Sequence, residues 1–207
     1  VLADHYDAFV ARLSEAIGSL SALVGNPAQP STRMGPVIDE EAWRRIQATI
    51  TAAEQRGLKR LTGANAPSGG YYIPPTLFGD VPPTDPLAQE EVFGPVLAAM
   101  RATSFQQALE WAQGTPYSLT GGLYSRSPAH IEEARRVFRV GNLYINRPIT
   151  GAIVGRHPFG GFHMSGGGTK AGGPDYLLSF VDPRVVSENT MRRGFVPTEP
   201  GQTSRIG

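Results

Sequence analysis

Between Leu119 and Asn146 the chain reads strand, helix, strand, and this unit constrains the fold more than any other feature. Leu119 to Ser125 has the apolar content of a strand. Ser127-Pro128 then supplies an N-cap and a first helical residue, and Ile131, Ala134, Val137 and Phe138 recur on one helical face. Gly141 closes the helix, and Asn142 to Asn146 is again strand-like. A crossover of this length joins parallel strands and is right-handed in nearly every case. The expected fold class is therefore α/β, with an open, twisted, mostly parallel sheet flanked by helices. On such sheets ligands bind beyond the carboxyl ends of the strands, which directs attention to whatever follows Asn146.

The rest of the chain fits that class. Tyr6, Phe9, Val10, Leu13, Ile17 and Leu20 fall at steps of three and four and predict an amphipathic helix ending before Gly25-Asn26-Pro27. Asp39 predicts the N-cap of a second helix, with Ile38 and Trp43 in the places of a hydrophobic staple. Trp43, Ile46, Ile50 and Ala53 form its buried stripe, and Gly57 stands at C′. Residues 58 to 62 read as a strand, followed by a polar turn from Gly63 to Gly70. Six prolines between residues 74 and 95 predict an extended or irregular stretch. Val96 to Arg101 reads as a buried strand, and Ser104 with Gln107 as the capping box of a helix that Gly114 ends.

Composition removes several classes of function. Nineteen Lys and Arg against 18 Asp and Glu leave a net charge of +1 with no basic cluster, so no nucleic-acid partner is expected. No apolar run is long enough to span a bilayer, and no signal peptide is visible, so a cytoplasmic location is expected. The absence of cysteine excludes disulfides, thiolate metal sites and a cysteine nucleophile within these 207 residues.

Nine of the 23 residues from Gly151 to Gly173 are glycine, a density that lets backbone approach something closely or turn sharply. Gly166 to Ala171 spells G-x-G-x-x-A, but it follows a loop and no acidic residue lies about 20 positions on, so it is not a dinucleotide fingerprint. Gly168-Thr169-Lys170 has the wrong order for a P-loop. His157 and His163 lack a carboxylate at ligand spacing, which favours exposed or satisfied histidines and no metal site. Arg156 reads as a solvated charge.

Two segments carry more than composition. Gln89-Glu90-Glu91-Val92-Phe93-Gly94-Pro95-Val96 and the run Asn146 to Phe162, with its Thr150-Gly151-Ala152 and Pro158-Phe159-Gly160-Gly161, closely resemble the NAD(P)-dependent aldehyde dehydrogenases. The second segment, with Ala171 to Tyr176 behind it, is similar to the branch that oxidises L-glutamate γ-semialdehyde, formed from 1-pyrroline-5-carboxylate, to L-glutamate in proline catabolism. The resemblance covers about Tyr6 to Val186.

It implies a set of roles. Glu91 would hydrogen-bond the nicotinamide ribose of NAD, and Phe93 would pack beside the nicotinamide ring; read without the resemblance, Glu90-Glu91 is a solvated acidic pair and Phe93 a core aromatic. Gly151 and Ala152 would anchor the substrate's α-carboxylate through backbone N–H groups, and Phe159 would contact its aliphatic part. The plain alternatives are a turn and a core aromatic. The small-molecule aldehyde would be attacked by a cysteine thiolate, with a glutamate-activated water hydrolysing the thioester. That cysteine, the general base and the dinucleotide-binding domain have no counterpart in the sequence. The chain is therefore expected to be a C-terminal, catalytic-domain part of such an enzyme and inactive alone. Residues 1–175 would be the partial catalytic domain, 176–190 a strand that pairs with a neighbouring subunit in a homo-oligomer, and 191–207 a flexible tail. A proline dehydrogenase, fused or associated, is an implied companion. The alternative reading is a non-catalytic lid or assembly module, motivated by the missing cysteine.

Overall fold

The computed structural model describes residues 1–62 and 66–189. In chain order the elements are helices α1 (Ala3–Ser21) and α2 (Glu40–Gln55), strands β1 (Lys59–Arg60) and β2 (Thr76–Gly79), and short helix α3 (Pro86–Gln89). They continue with β3 (Val96–Ala98), α4 (Phe105–Gln113), β4 (Tyr117–Ser118), β5 (Thr120–Leu123), α5 (Pro128–Val137), β6 (Asn142–Ile145) and β7 (Phe162–His163). The α/β class is as expected, and the pair β5·β6 is parallel over four residues, Thr120 opposite Asn142 through Leu123 opposite Ile145. The strands form three separate sheets among the described residues. These are β1-β2-β3, in which β2·β3 is parallel and β1·β2 antiparallel, then β5-β6, then the antiparallel pair β4-β7.

The proline-rich stretch hides the centre of the fold. β2 is buried at every position because helices cover both of its faces. Leu77 packs with Tyr6 and Ile17 of α1, while Phe78 packs with Ile46, Ile50 and Ala53 of α2. Each such side chain, fully removed from water, contributes about 1.5–3 kcal/mol. Prolines ahead of the strand cannot donate to a ladder, and threonine hydroxyls fill the gap. Thr62 Oγ1 donates to the Pro75 carbonyl and accepts from the Leu77 N–H, and Thr76 Oγ1 donates to Pro74.

Three local expectations are corrected. Ile38 is 90% exposed, so no staple forms; Trp43 instead donates its indole N–H to the Tyr72 carbonyl at 3.1 Å. β3 is an edge strand with Leu97 49% exposed, not a buried one. Tyr176–Phe180 is a 3-10 helix, not extended chain, with Tyr176 and Phe180 edge to face at 5.3 Å. Val181 is extended, and residues 181–189 form no strand with any described residue. The expected tail at 191–207, and residue 190 of the expected pairing strand, lie outside the described residues. No helix among those described is long and apolar enough to cross a membrane.

Candidate functional site

Glu91 and Phe93 belong to a loop that α2 holds from below. Asp85 caps α3 by accepting from the Leu87 N–H, and it also takes two hydrogen bonds, 2.9 and 2.8 Å, from Arg56 at the end of α2. The Arg56 hydrogen bonds hold the Asp85 carboxyl below the usual carboxylate range. Arg45 donates to the Val92 carbonyl. Gly94 lies flat on buried Ile46, where a Cβ would come within 2.6 Å of Ile46 Cδ1.

Held at these points, the loop turns Glu91 and Phe93 outward. Phe93 has φ +52, a left-handed conformation costly for an aromatic residue, and is 76% exposed. Core packing therefore does not explain it. Glu91 is exposed and makes no hydrogen bond or ion pair among the described residues. It borders a cavity of about 470 Å³, shared with Phe93, Leu87 and Val96, and a second of about 310 Å³ on the side of Arg45 and Arg56. A free carboxylate and an exposed aromatic face on one cavity fit a ribose with an attached planar ring, so the residues present suit the nicotinamide half of NAD.

The second group of residues lies at the carboxyl ends of β5 and β6. Asn146 follows β6 in the left-handed region (φ +54) and clamps Ser125, donating through Nδ2 to its carbonyl and accepting at Oδ1 from its N–H, both at 2.9 Å. Ile149 then packs onto Gly122 of β5, where a Cβ would lie 2.4 Å from Ile149 Cγ2. Gly151 follows with φ +86, a conformation that favours glycine, and the N–H groups of Gly151 and Ala152 have no acceptor among the described residues. Phe159, 38% exposed, pairs with Ala171 by two backbone hydrogen bonds of 3.0 and 2.8 Å. The two cavities around Glu91 are lined without any residue of this loop.

The glycine density has a structural reason that the sequence did not disclose: what the tract approaches closely is the chain itself. A Cβ on Gly141 would sit 2.0 Å from the Gly160 carbonyl oxygen, and one on Gly161 within 3 Å of both Ser165 and Ser118. Lys170, from the false G-x-G-x-x-A run, closes this crossing by donating to the Gly141 and Gly160 carbonyls, and burial lowers its pKa. His163 is exposed, whereas His157 is half-buried with its Nδ1 buried and without a hydrogen bond, so it is not a satisfied core histidine. No group of three or more His, Cys, Asp or Glu that could hold a metal occurs among the described residues. The clamp by Asn146, the Ile149–Gly122 contact and the Lys170 strut were missed at the sequence level, since each depends on a partner at least 20 residues away.

The family model of the aldehyde dehydrogenase family matches residues 1–186. The chain belongs to the aldehyde dehydrogenase family. Within it, the 1-pyrroline-5-carboxylate dehydrogenase of Geobacillus kaustophilus is 47% identical over 188 residues, 91% of this chain and 36% of that protein. Among solved structures, proline utilization A from Bdellovibrio bacteriovorus superposes with a TM-score of 0.85 at 53% identity, covering 96% of this chain and 20% of that one. A 1-pyrroline-5-carboxylate dehydrogenase from Thermus with bound NAD gives 0.80 at 45% identity, over 86% of this chain and 34% of that one. The chain thus spans about a third of the length of the curated relatives it matches.

Proposed function

We propose that this chain is part of an NAD-dependent dehydrogenase that oxidises L-glutamate γ-semialdehyde to L-glutamate. The observation that carries the reading is the pairing of a 47% identical relative of that activity with an acceptor-free Gly151-Ala152 backbone beyond the ends of β5 and β6. In this reading the chain contributes two contact surfaces, and the nucleophile lies outside these cysteine-free residues.

On the cofactor side, Glu91 accepts hydrogen bonds from the two vicinal hydroxyls of the nicotinamide ribose, the chemistry for which a carboxylate is suited. Phe93 offers an apolar face beside the nicotinamide. NAD, when bound, takes up the hydride that leaves the substrate. On the substrate side, the Gly151 and Ala152 N–H groups donate to the α-carboxylate, and Phe159 covers the aliphatic carbons. Holding the end of the substrate that does not react fixes the aldehyde carbon in place, so that binding energy is spent on orientation. The exposed apolar residues Leu177, Leu178, Phe180, Val181 and Val185 support a subunit-pairing role for 176–190 in a homo-oligomer. The likeness to a proline utilization protein supports a companion proline dehydrogenase, fused or associated. A cytoplasmic location accords with this chemistry.

Separate titrations of NAD and L-glutamate into the natural enzyme test the assignment. Glu91→Ala is expected to weaken NAD and spare glutamate, and Gly151→Val the reverse. Normal affinity for both ligands in both variants would refute it. The absence of cysteine motivates a second reading, a non-catalytic lid or assembly module. That reading requires a natural protein that binds a partner and fails to bind NAD.

A further inference from the structure

In the proposed site the charge of the substrate's α-carboxylate is answered only by neutral N–H groups. The structure holds a cation beside them. Arg147 Nη2 lies 4.0 Å from the point that a Cβ on Gly151 would occupy, so the bare glycine leaves nothing between the guanidinium and the loop backbone. The Arg147 guanidinium stands over the Tyr144 ring at 5.2 Å, and Tyr144 is only 5% exposed, so the platform beneath the cation is fixed.

The chain on either side of Arg147 is positioned by its own contacts. Asn146 is clamped to Ser125, Pro148 restricts Arg147 to extended backbone, and Ile149 is seated on Gly122. Arg147 is exposed, and its guanidinium makes no hydrogen bond or ion pair among the described residues. The adjoining sequence offers no competing carboxylate: from Ala134 to Pro174 there is no Asp or Glu, while Arg135, Arg136, Arg139, Arg147, Arg156 and Lys170 all fall in that stretch. Lys170 is already committed to backbone carbonyls. An exposed guanidinium seated over a buried ring and uncommitted to any described acid suits a carboxylate, which it can grip with two parallel hydrogen bonds.

We propose that Arg147 is a specificity-determining residue that binds the α-carboxylate of the substrate together with the Gly151-Ala152 backbone. The proposal rests on the reading of that loop as a carboxylate anchor. Arg147 thereby separates aldehydes bearing an α-carboxylate from those of equal length without one. Arg156, exposed and with no side-chain hydrogen bond or ion pair among the described residues, lies in the same loop and makes no such contact.

The test is equilibrium titration of the natural enzyme with L-glutamate and with 4-aminobutanoate, its counterpart lacking the α-carboxylate. Wild type is compared with Arg147→Met, Arg147→Lys and Arg156→Met, with thermal unfolding recorded for each. Arg147→Met is expected to weaken glutamate roughly 10- to 100-fold, the loss of a charge-assisted contact, with 4-aminobutanoate changed less than about twofold. Arg147→Lys falls between, and Arg156→Met matches wild type. Unchanged glutamate affinity in Arg147→Met overturns the proposal. Equal loss of both ligands also overturns it, by assigning Arg147 a structural role, as does an equal effect of Arg156→Met, which would mean a diffuse field. If wild type itself fails to distinguish the two ligands, the carboxylate-anchor reading falls and the proposal with it.

Discussion

Gly94 joins the core to the candidate cofactor loop, and replacing it by alanine tests whether that junction is as tight as it looks. The new Cβ would approach Ile46 Cδ1 at 2.6 Å, Cγ1 at 3.0 Å and Cγ2 at 3.2 Å, so rotating the isoleucine relieves one contact and worsens another. Ile46 is fully buried among Ile50, Ala53, Phe78 and Leu87 and has nowhere to move. Overpacking of this kind costs about 1–3 kcal/mol. The backbone at Gly94 is outside the left-handed region, so alanine also gains about 0.4–1 kcal/mol by restricting the unfolded chain. The net expectation is a loss of about 1–2 kcal/mol. Ile46→Val removes Cδ1 and on its own costs about 0.5–1.5 kcal/mol. In that background Gly94→Ala should cost about 1 kcal/mol less than in wild type, a coupling of the size that touching residues show. Urea unfolding of the four proteins measures all of these quantities, and Trp43, whose indole is tied to Tyr72, provides an emission signal from the same layer. Additive single effects, or a Gly94→Ala change within 0.5 kcal/mol of zero, would refute the packing account.

Phe93→Gly should raise the unfolding free energy by about 0.5–1 kcal/mol, as relief of the left-handed backbone outweighs the flexibility of glycine, while weakening NAD; urea unfolding with parallel NAD titration would show both. Gly141→Ala meets backbone rather than a movable side chain, 2.0 Å from the Gly160 carbonyl, and should cost more than about 3 kcal/mol in the same assay. Gly122→Ala displaces Ile149, which is partly exposed and can yield, so it should weaken glutamate binding with less than about 1 kcal/mol lost in stability. Asp85 is held below its ordinary pKa by Arg56, so its contribution to stability is complete above the unfolded value near 4 and disappears as pH falls through the lower folded value. Asp85→Asn should flatten the unfolding free energy over that acidic window, with little change in slope at neutral pH.

What could be read from the sequence was what depends on near neighbours. The caps at Asp39, Ser104 and Ser127 each accept the backbone N–H expected of them, because an N-cap needs only residues two or three positions away. Even there, one detail moved: Gln107 returns its side chain to the Thr103 N–H, one residue before the cap. β2 escaped notice because its signal, Thr76-Leu77-Phe78, follows two prolines, and the hydroxyls that compensate for them include one at Thr62, 13 residues before the carbonyl it reaches. Ile38 reads as a staple and Leu97 as core because apolar identity alone does not say whether an opposing surface exists. Phe9 likewise belongs to the α1 periodicity yet is 48% exposed, at the margin of a narrower buried face. Glu91 and Gly151 were found only through whole motifs. Taken singly, an exposed glutamate and a loop glycine carry no signal, and Arg147 needs the distance to Gly151 before it means anything.

The central claim, that the Gly151-Ala152 backbone receives the substrate's carboxylate, is tested most directly by residue-resolved amide hydrogen exchange of the natural enzyme. Saturating L-glutamate is predicted to slow exchange at the Gly151 and Ala152 amides, with 4-aminobutanoate leaving them unchanged. Exchange at those two amides indifferent to glutamate, with protection arising at other residues, would contradict the account.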